Sequence, residues 1–110
     1  MIDLERAEAR LTGELRRLYE AAGRPELADV VRWGASRRPV VWFSVPSLND
    51  WLRPHKVAVP SEAALLAFVE FLCRRAGWPV ARQWWTQLRR AAWLETHPGA
   101  RLTAAHRGPA

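Results

Sequence analysis

Between Ser61 and Gly77 the apolar residues Leu65, Phe68, Val69, Leu72, Cys73 and Ala76 recur three and four positions apart. That spacing lines one face of an α-helix and cannot line one face of a strand. Ser61 is a good N-cap and Gly77 a good stop, so the segment is bounded at both ends. It is the most hydrophobic stretch of the chain and the expected centre of the core. A stripe of this kind is buried only against elements with matching faces, and the flanking sequence offers helical ones.

Residues 3–22 carry Leu4, Leu11, Leu15, Leu18 and Ala22 on one helical face, with Gly23 as the stop. A second helix is expected over 25–34, with Pro25 in its first turn, Leu27, Val30 and Val31 inward, and Gly34 ending it. Ser44 caps a short third helix whose first turn holds Val45 and Pro46; Leu48, Trp51 and Leu52 anchor it, and Pro54 closes it. After Trp78-Pro79 a fifth helix runs to about Glu95, with Val80, Trp84, Leu88 and Ala91 or Ala92 on its inward face and Trp85 and Trp93 off that centre. Residues 36–43 break the pattern at Arg37-Arg38-Pro39. The following Val40-Val41-Trp42-Phe43 is β-prone but has no partner strand, so a packed loop is expected. The expected fold is all-α, with five helices in one domain over 1–96 and a flexible tail over 97–110.

The chain has 110 residues, enough for a single core. Its seven tryptophans can each bury roughly 200 Å², and Trp33, Trp42, Trp51, Trp84 and Trp85 are expected to pack in the core. Charge is divided unevenly. Residues 1–31 hold seven acids and five basic residues, a net of −2, whereas residues 32–110 hold four acids and twelve basic residues, a net of +8. A net positive field favours polyanions or acidic partners. No apolar run is long enough to span a bilayer and no secretory leader is seen. The lone Cys73 falls in the helical stripe as a small core residue, and the expected location is the cytoplasm.

Little in the sequence points to catalysis. His55, His97 and His106 sit in or beside turns without a Cys/His/Asp set at metal spacing. Cys73 is not in an exposed electropositive turn, and Gly34, Gly77 and Gly99 read as helix stops and not as a phosphate loop. No enzyme activity, metal or cofactor is expected. The positive signal is an arrangement: a helix of about ten residues, a connection, and a short capped helix form a helix–turn–helix pair. On its second helix Ser47, Asn49, Asp50 and Arg53 face outward.

The run from Leu15 to Ala22 with Gly23, then Ser44, Ser47-Leu48-Asn49-Asp50-Trp51-Leu52, Val59-Pro60-Ser61, Leu65 to Leu72 and Trp84 to Arg90 resembles lambda-repressor-like helix–turn–helix domains. These stand at the N-termini of many regulators and multidomain signalling proteins from high-GC bacteria. The resemblance covers about three quarters of the chain, and the order of its elements is more specific than any single motif. It implies a transcriptional regulator that lays residues of about 45–53 in the major groove of double-stranded DNA, as a monomer or a homodimer. Arg37, Arg38, Arg53, His55 and Lys56 would neutralise phosphates, and Ser47, Asn49 and Asp50, beside the cap Ser44, would face base edges. The chain departs from the family in the 36–43 insert, in Val45-Pro46 where polar readers are usual, in the acidic Asp50, and in Pro54 where a glycine usually follows. Those departures suit an alternative, a protein-interaction or adaptor module of a bacterial signalling or conflict system. Val41, Trp42 and Phe43, with Trp85 and Trp93, would then form an exposed docking patch.

Overall fold

The computed structural model describes residues 6–53 and 59–96. Among them are five helices and no strand: α1 (Ala7–Ala21), α2 (Leu27–Ser36), α3 (Val45–Leu52), α4 (Glu62–Ala76) and α5 (Arg82–Thr96). The all-α expectation is met. The expected tail over 97–110, together with His55 and Lys56, lies outside the described residues.

Helix α4 is central. It packs against α1, α2 and α5, and it buries Ala67 and Phe71 as well as the stripe through Leu65, Phe68, Val69, Leu72 and Cys73. Both ends are closed locally: Ser61 Oγ accepts a hydrogen bond from the Ala64 N–H at 3.2 Å, and Gly77 is left-handed at φ 75°. The Gly77 and Trp78 N–H groups both donate to the Cys73 carbonyl, which satisfies an end that would otherwise be open.

Helix α1 lies against α5, α4 and α3, burying Leu11, Thr12, Leu15 and Leu18. Arg6 is extended and offers no side-chain cap, and α1 begins at Ala7; residues 3–5 of the expected helix lie outside the described residues. Its first donors are met from the far end of the fold. The Ala7 and Glu8 N–H groups donate to the Glu95 carboxylate at 2.6 and 3.2 Å, where the helix dipole favours negative charge. Helix α2 starts two residues later than expected, because Glu26 is extended (ψ 133°) and takes the N-cap place; before it Gly23 and Arg24 both take left-handed backbone (φ 85° and 52°). Pro25 lies outside the helix and its carbonyl accepts from the Tyr19 hydroxyl at 2.8 Å.

Gly34 does not end α2. It is buried inside the helix, which continues to Ser36. A Cβ there would lie 2.5 Å from both Phe43 Cδ2 and the Val41 carbonyl oxygen, so the residue is needed for close approach. The connector folds back over it, with the Val41 N–H donating to the Gly34 carbonyl at 3.0 Å. Phe43 is thereby driven inward, where its ring lies 6.3 Å from Trp51 and 6.3 Å from Phe68. Helix α5 also differs from expectation. Its buried residues are Trp85, Leu88 and Ala92: Leu88 and Ala92 agree with the expected face of Trp84, Leu88 and Ala91 or Ala92, and Trp85 takes the inward place expected of Trp84. Trp84 is left 39% exposed, edge-on to Trp85.

Gly34→Ala is expected to lower the free energy of unfolding by about 1–3 kcal/mol through overpacking. Gly13→Ala in α1, where a Cβ meets nothing within 4 Å, is expected to raise it by about 0.5–1 kcal/mol. Urea unfolding of the two variants beside the parent chain checks both signs.

Candidate functional site

Helix α3 is held by its inner face. Leu48 is fully buried, Trp51 and Leu52 are half-buried, and Trp51 lies 6.2 Å from Phe68 of α4. Ser44 Oγ accepts from the Ser47 N–H at 3.3 Å, so Ser44 acts as the expected cap. With the inner face occupied, Ser47, Asn49 and Arg53 are exposed. Asp50 is half-buried, with its carboxylate 4.0 Å from the Arg53 guanidinium, which offsets its charge where an anion would meet α3.

Beside α3 opens a cleft of about 320 Å³ lined by Arg16, Tyr19, Glu20, Arg24, Leu27, Asn49 and Leu52. Arg24 is paired with Glu20 at 2.7 Å. The hydrogen bond from Arg24 holds the Glu20 carboxyl below its ordinary pKa range. Arg16 is exposed on α1. Sequence reading assigned the basic surface to residues beyond 31; the fold instead brings two arginines of the first 24 residues next to the outward Asn49. Nothing local in the sequence marks Arg16 as a neighbour of α3.

The connector sorts its side chains by alternation, as extended backbone does. Phe43 is buried, whereas Trp42 is 82% exposed. Val41 is half-buried. In the first turn of α3, Val45 is 44% exposed and Pro46 is also exposed. The expected docking patch is therefore corrected. Phe43 and Trp85 belong to the core, Trp93 is half-buried on α5, and the outward apolar residues near the start of α3 are Trp42, Val45 and Pro46. The expectation that Trp42 and Trp84 pack in the core is corrected too.

Arg37 is likewise reassigned. Its guanidinium lies 3.1 Å from Glu70 Oε1 and 4.6 Å from the Trp33 ring centre, and its side chain is 26% exposed. A cation so engaged faces the protein and not a phosphate. Arg38 is exposed, with Nη1 donating to the Arg37 carbonyl at 2.7 Å. Glu70 escaped the sequence reading, although it gathers charge from three elements. Arg74 and Arg82 approach it at 3.2 and 3.3 Å in addition to Arg37, and its side chain is 15% exposed. Burial by itself raises the Glu70 pKa. The Arg37 hydrogen bond and the charges of Arg37, Arg74 and Arg82 outweigh that, and the carboxyl is held below its usual range.

Elsewhere, a groove of about 230 Å³ lined by Arg10, Trp84, Gln87, Leu88 and Ala91 runs between α1 and α5. The Cys73 thiol is buried, donates to the Pro79 carbonyl at 3.7 Å, and has its pKa raised by burial. Among the described residues no group of three or more His, Cys, Asp or Glu could hold a metal ion. No helix among them is long and apolar enough to cross a membrane.

Glu70→Gln is expected to cost about 1–3 kcal/mol at neutral pH, as for a charged hydrogen-bonding group lost from a poorly solvated site. Because folding lowers the Glu70 pKa, its contribution is complete above the ordinary glutamate value of about 4.3 and fades as pH falls through the folded-state value. Unfolding curves for parent and variant should therefore converge below that range, while a gap independent of pH would contradict the ionic role. In comparisons with known proteins, no family model, no curated protein and no solved structure matches this chain.

Proposed function

We propose that this chain is a non-catalytic, lambda-repressor-like helix–turn–helix module that binds double-stranded DNA and serves in transcriptional regulation. Helices α2 and α3, joined by residues 37–44, form the reading unit. The observation that carries this reading is the distribution of cations around α3. Arg16 and Arg24 stand across the cleft from Asn49, Arg53 follows the last turn, and Arg38 is exposed on the connector before the first. An α-helix with its side chains is about 10–12 Å across, which the B-DNA major groove of about 12 Å width admits. Phosphates then meet Arg16, Arg38 and Arg53, and Ser47 and Asn49 face base edges. Arg37 holds the connector through Glu70 and touches no nucleic acid.

A second reading, docking of a protein partner by an adaptor module, is favoured by one observation. Trp42 is 82% exposed beside Val45 and Pro46, and large apolar side chains clustered at a surface mark interaction sites.

The DNA reading is tested by fluorescence anisotropy with a labelled random-sequence duplex. With three phosphate cations, affinity is expected to fall about fortyfold between 50 and 200 mM salt. The Arg16→Ala/Arg53→Ala variant should bind more weakly at low salt and lower the salt slope by about two. Both residues are exposed, so circular dichroism should be unchanged. Absence of binding at low salt, or equal binding by the variant, would sink the DNA reading. Trp42-dependent capture of a defined protein would then support the second.

A further inference from the structure

Glu70 gathers more positive charge than it can neutralise. Arg37, Arg74 and Arg82 converge on its carboxylate at 3.1, 3.2 and 3.3 Å. Arg75 lies 4.7 Å over the Phe71 ring and has no carboxylate partner among the described residues. Phe71 meets Trp33 edge-on at 5.3 Å, and Trp33 carries Arg37. The four arginines therefore form one connected patch with a surplus of three positive charges. Arg37 is turned inward, but the side chains of Arg74 and Arg82 are 69% and 60% exposed and Arg75 is exposed. Arg82 gains nothing from its own helix: it stands in the first turn of α5, where the dipole disfavours a cation. This face is apart from the outward residues of α3. Phe68 of α4 meets Trp51 of α3, Glu70 lies about 200° further around α4, and α3 packs against α1 and α2 but not against α5.

We propose that Arg74, Arg75 and Arg82 bind the phosphate backbone of a second DNA duplex, so that one chain bridges two duplexes. Bridging rests on the DNA-binding reading of α3 given above; the second face does not. Phosphate is favoured over an acidic protein by the way the patch is built. Its rings, Trp33 and Phe71, are covered by guanidiniums, so they offer no open apolar anchor of the kind that holds protein interfaces together. Planar guanidiniums grip phosphate oxygens through paired N–H donors. Glu70 engages one terminal nitrogen of Arg74 and one of Arg82, and each guanidinium has five N–H donors in all. The Glu70 contacts of Arg74 and Arg82 and the stacking of Arg75 hold the three side chains in place beforehand, which reduces the ordering cost of binding.

The test loads the full chain at low salt on an immobilised random-sequence duplex and measures capture of a second, fluorescent duplex per loaded chain. Capture is expected from the parent chain and should fall about fortyfold between 50 and 200 mM salt, as for three phosphate contacts. Arg74→Ala/Arg82→Ala, which leaves the Arg37–Glu70 pair in place, should load as the parent does and capture about tenfold less. Arg75→Ala, which removes no carboxylate contact, should keep the parent's thermal unfolding and also capture less. Normal loading without capture, or capture equal in the variants, overturns the second face and leaves the α3 reading standing. Loading that survives Arg16→Ala/Arg53→Ala and is lost in Arg74→Ala/Arg82→Ala overturns the α3 reading and bridging together, while it supports this face as a duplex site. Polyglutamate that displaces the second duplex as well as DNA does, at equal charge, assigns the face to an acidic protein and overturns the proposal. A dimer seen by sedimentation without DNA that Arg74→Ala/Arg82→Ala abolishes also overturns it, since a second copy would then occupy the face.

Discussion

The placement of α3 depends on a missing side chain. Because Gly34 has no Cβ, the connector can lie against α2, and Phe43 can enter the space a methyl group would fill. Phe43, Trp51 and Phe68 then form a three-ring cluster joining the connector, α3 and α4, with centroids 6.2–6.3 Å apart. Edge-on and tilted aromatic contacts in this range add to simple area burial. Rotation of α3 about its own axis would break two of the three contacts and expose Leu48. The outward set Ser47, Asn49 and Arg53 is thus a consequence of core packing.

Electrostatics secures the same connection from outside the core. Glu70 projects from the most apolar helix toward Arg37 on the connector, Arg74 on its own helix and Arg82 at the start of α5. One carboxylate thereby ties together three parts of the chain. Its partial burial strengthens these interactions by excluding water. The engagement of Arg37 also explains how an arginine beside α3 can be structural. The connector carries Arg37 inward and Trp42 outward, and both follow from the way the chain folds back over Gly34.

Local signals in the sequence are read correctly where a capping serine or a left-handed glycine closes a helix end. Ser44, Ser61 and Gly77 close helix ends through hydrogen bonds within a few residues, so α3 and the bounds of α4 were legible. The inward face of α5 was not. Trp84 and Trp85 both fit a helical period with Leu88, and the choice belongs to the surfaces of α1 and α4. Gly34 was taken for a stop because a glycine needed for left-handed backbone and one needed for close packing look alike until Phe43 is placed against it. At the candidate site the outward residues of α3 could be read from its own stripe. Arg16, Arg24 and Glu70 could not, because their importance arises from contacts with other parts of the chain and has no period. Trp42 was the opposite case: its alternation with Phe43 was visible, but which of the two faced inward was not.

The pairing of Glu95 with the backbone of Ala7 and Glu8, across 87 and 88 positions, has a consequence for biosynthesis. As the chain leaves the ribosome from its N-terminus, the first turn of α1 emerges with open donors and no capping side chain of its own. The acceptor that completes it is made last among the described helices. The apolar face of α1 must also wait for α4 and α5 before it is covered. The domain therefore matures as a closed unit whose α1 and α5 become stable together, and an interrupted translation product would leave both the early face and α3 without support.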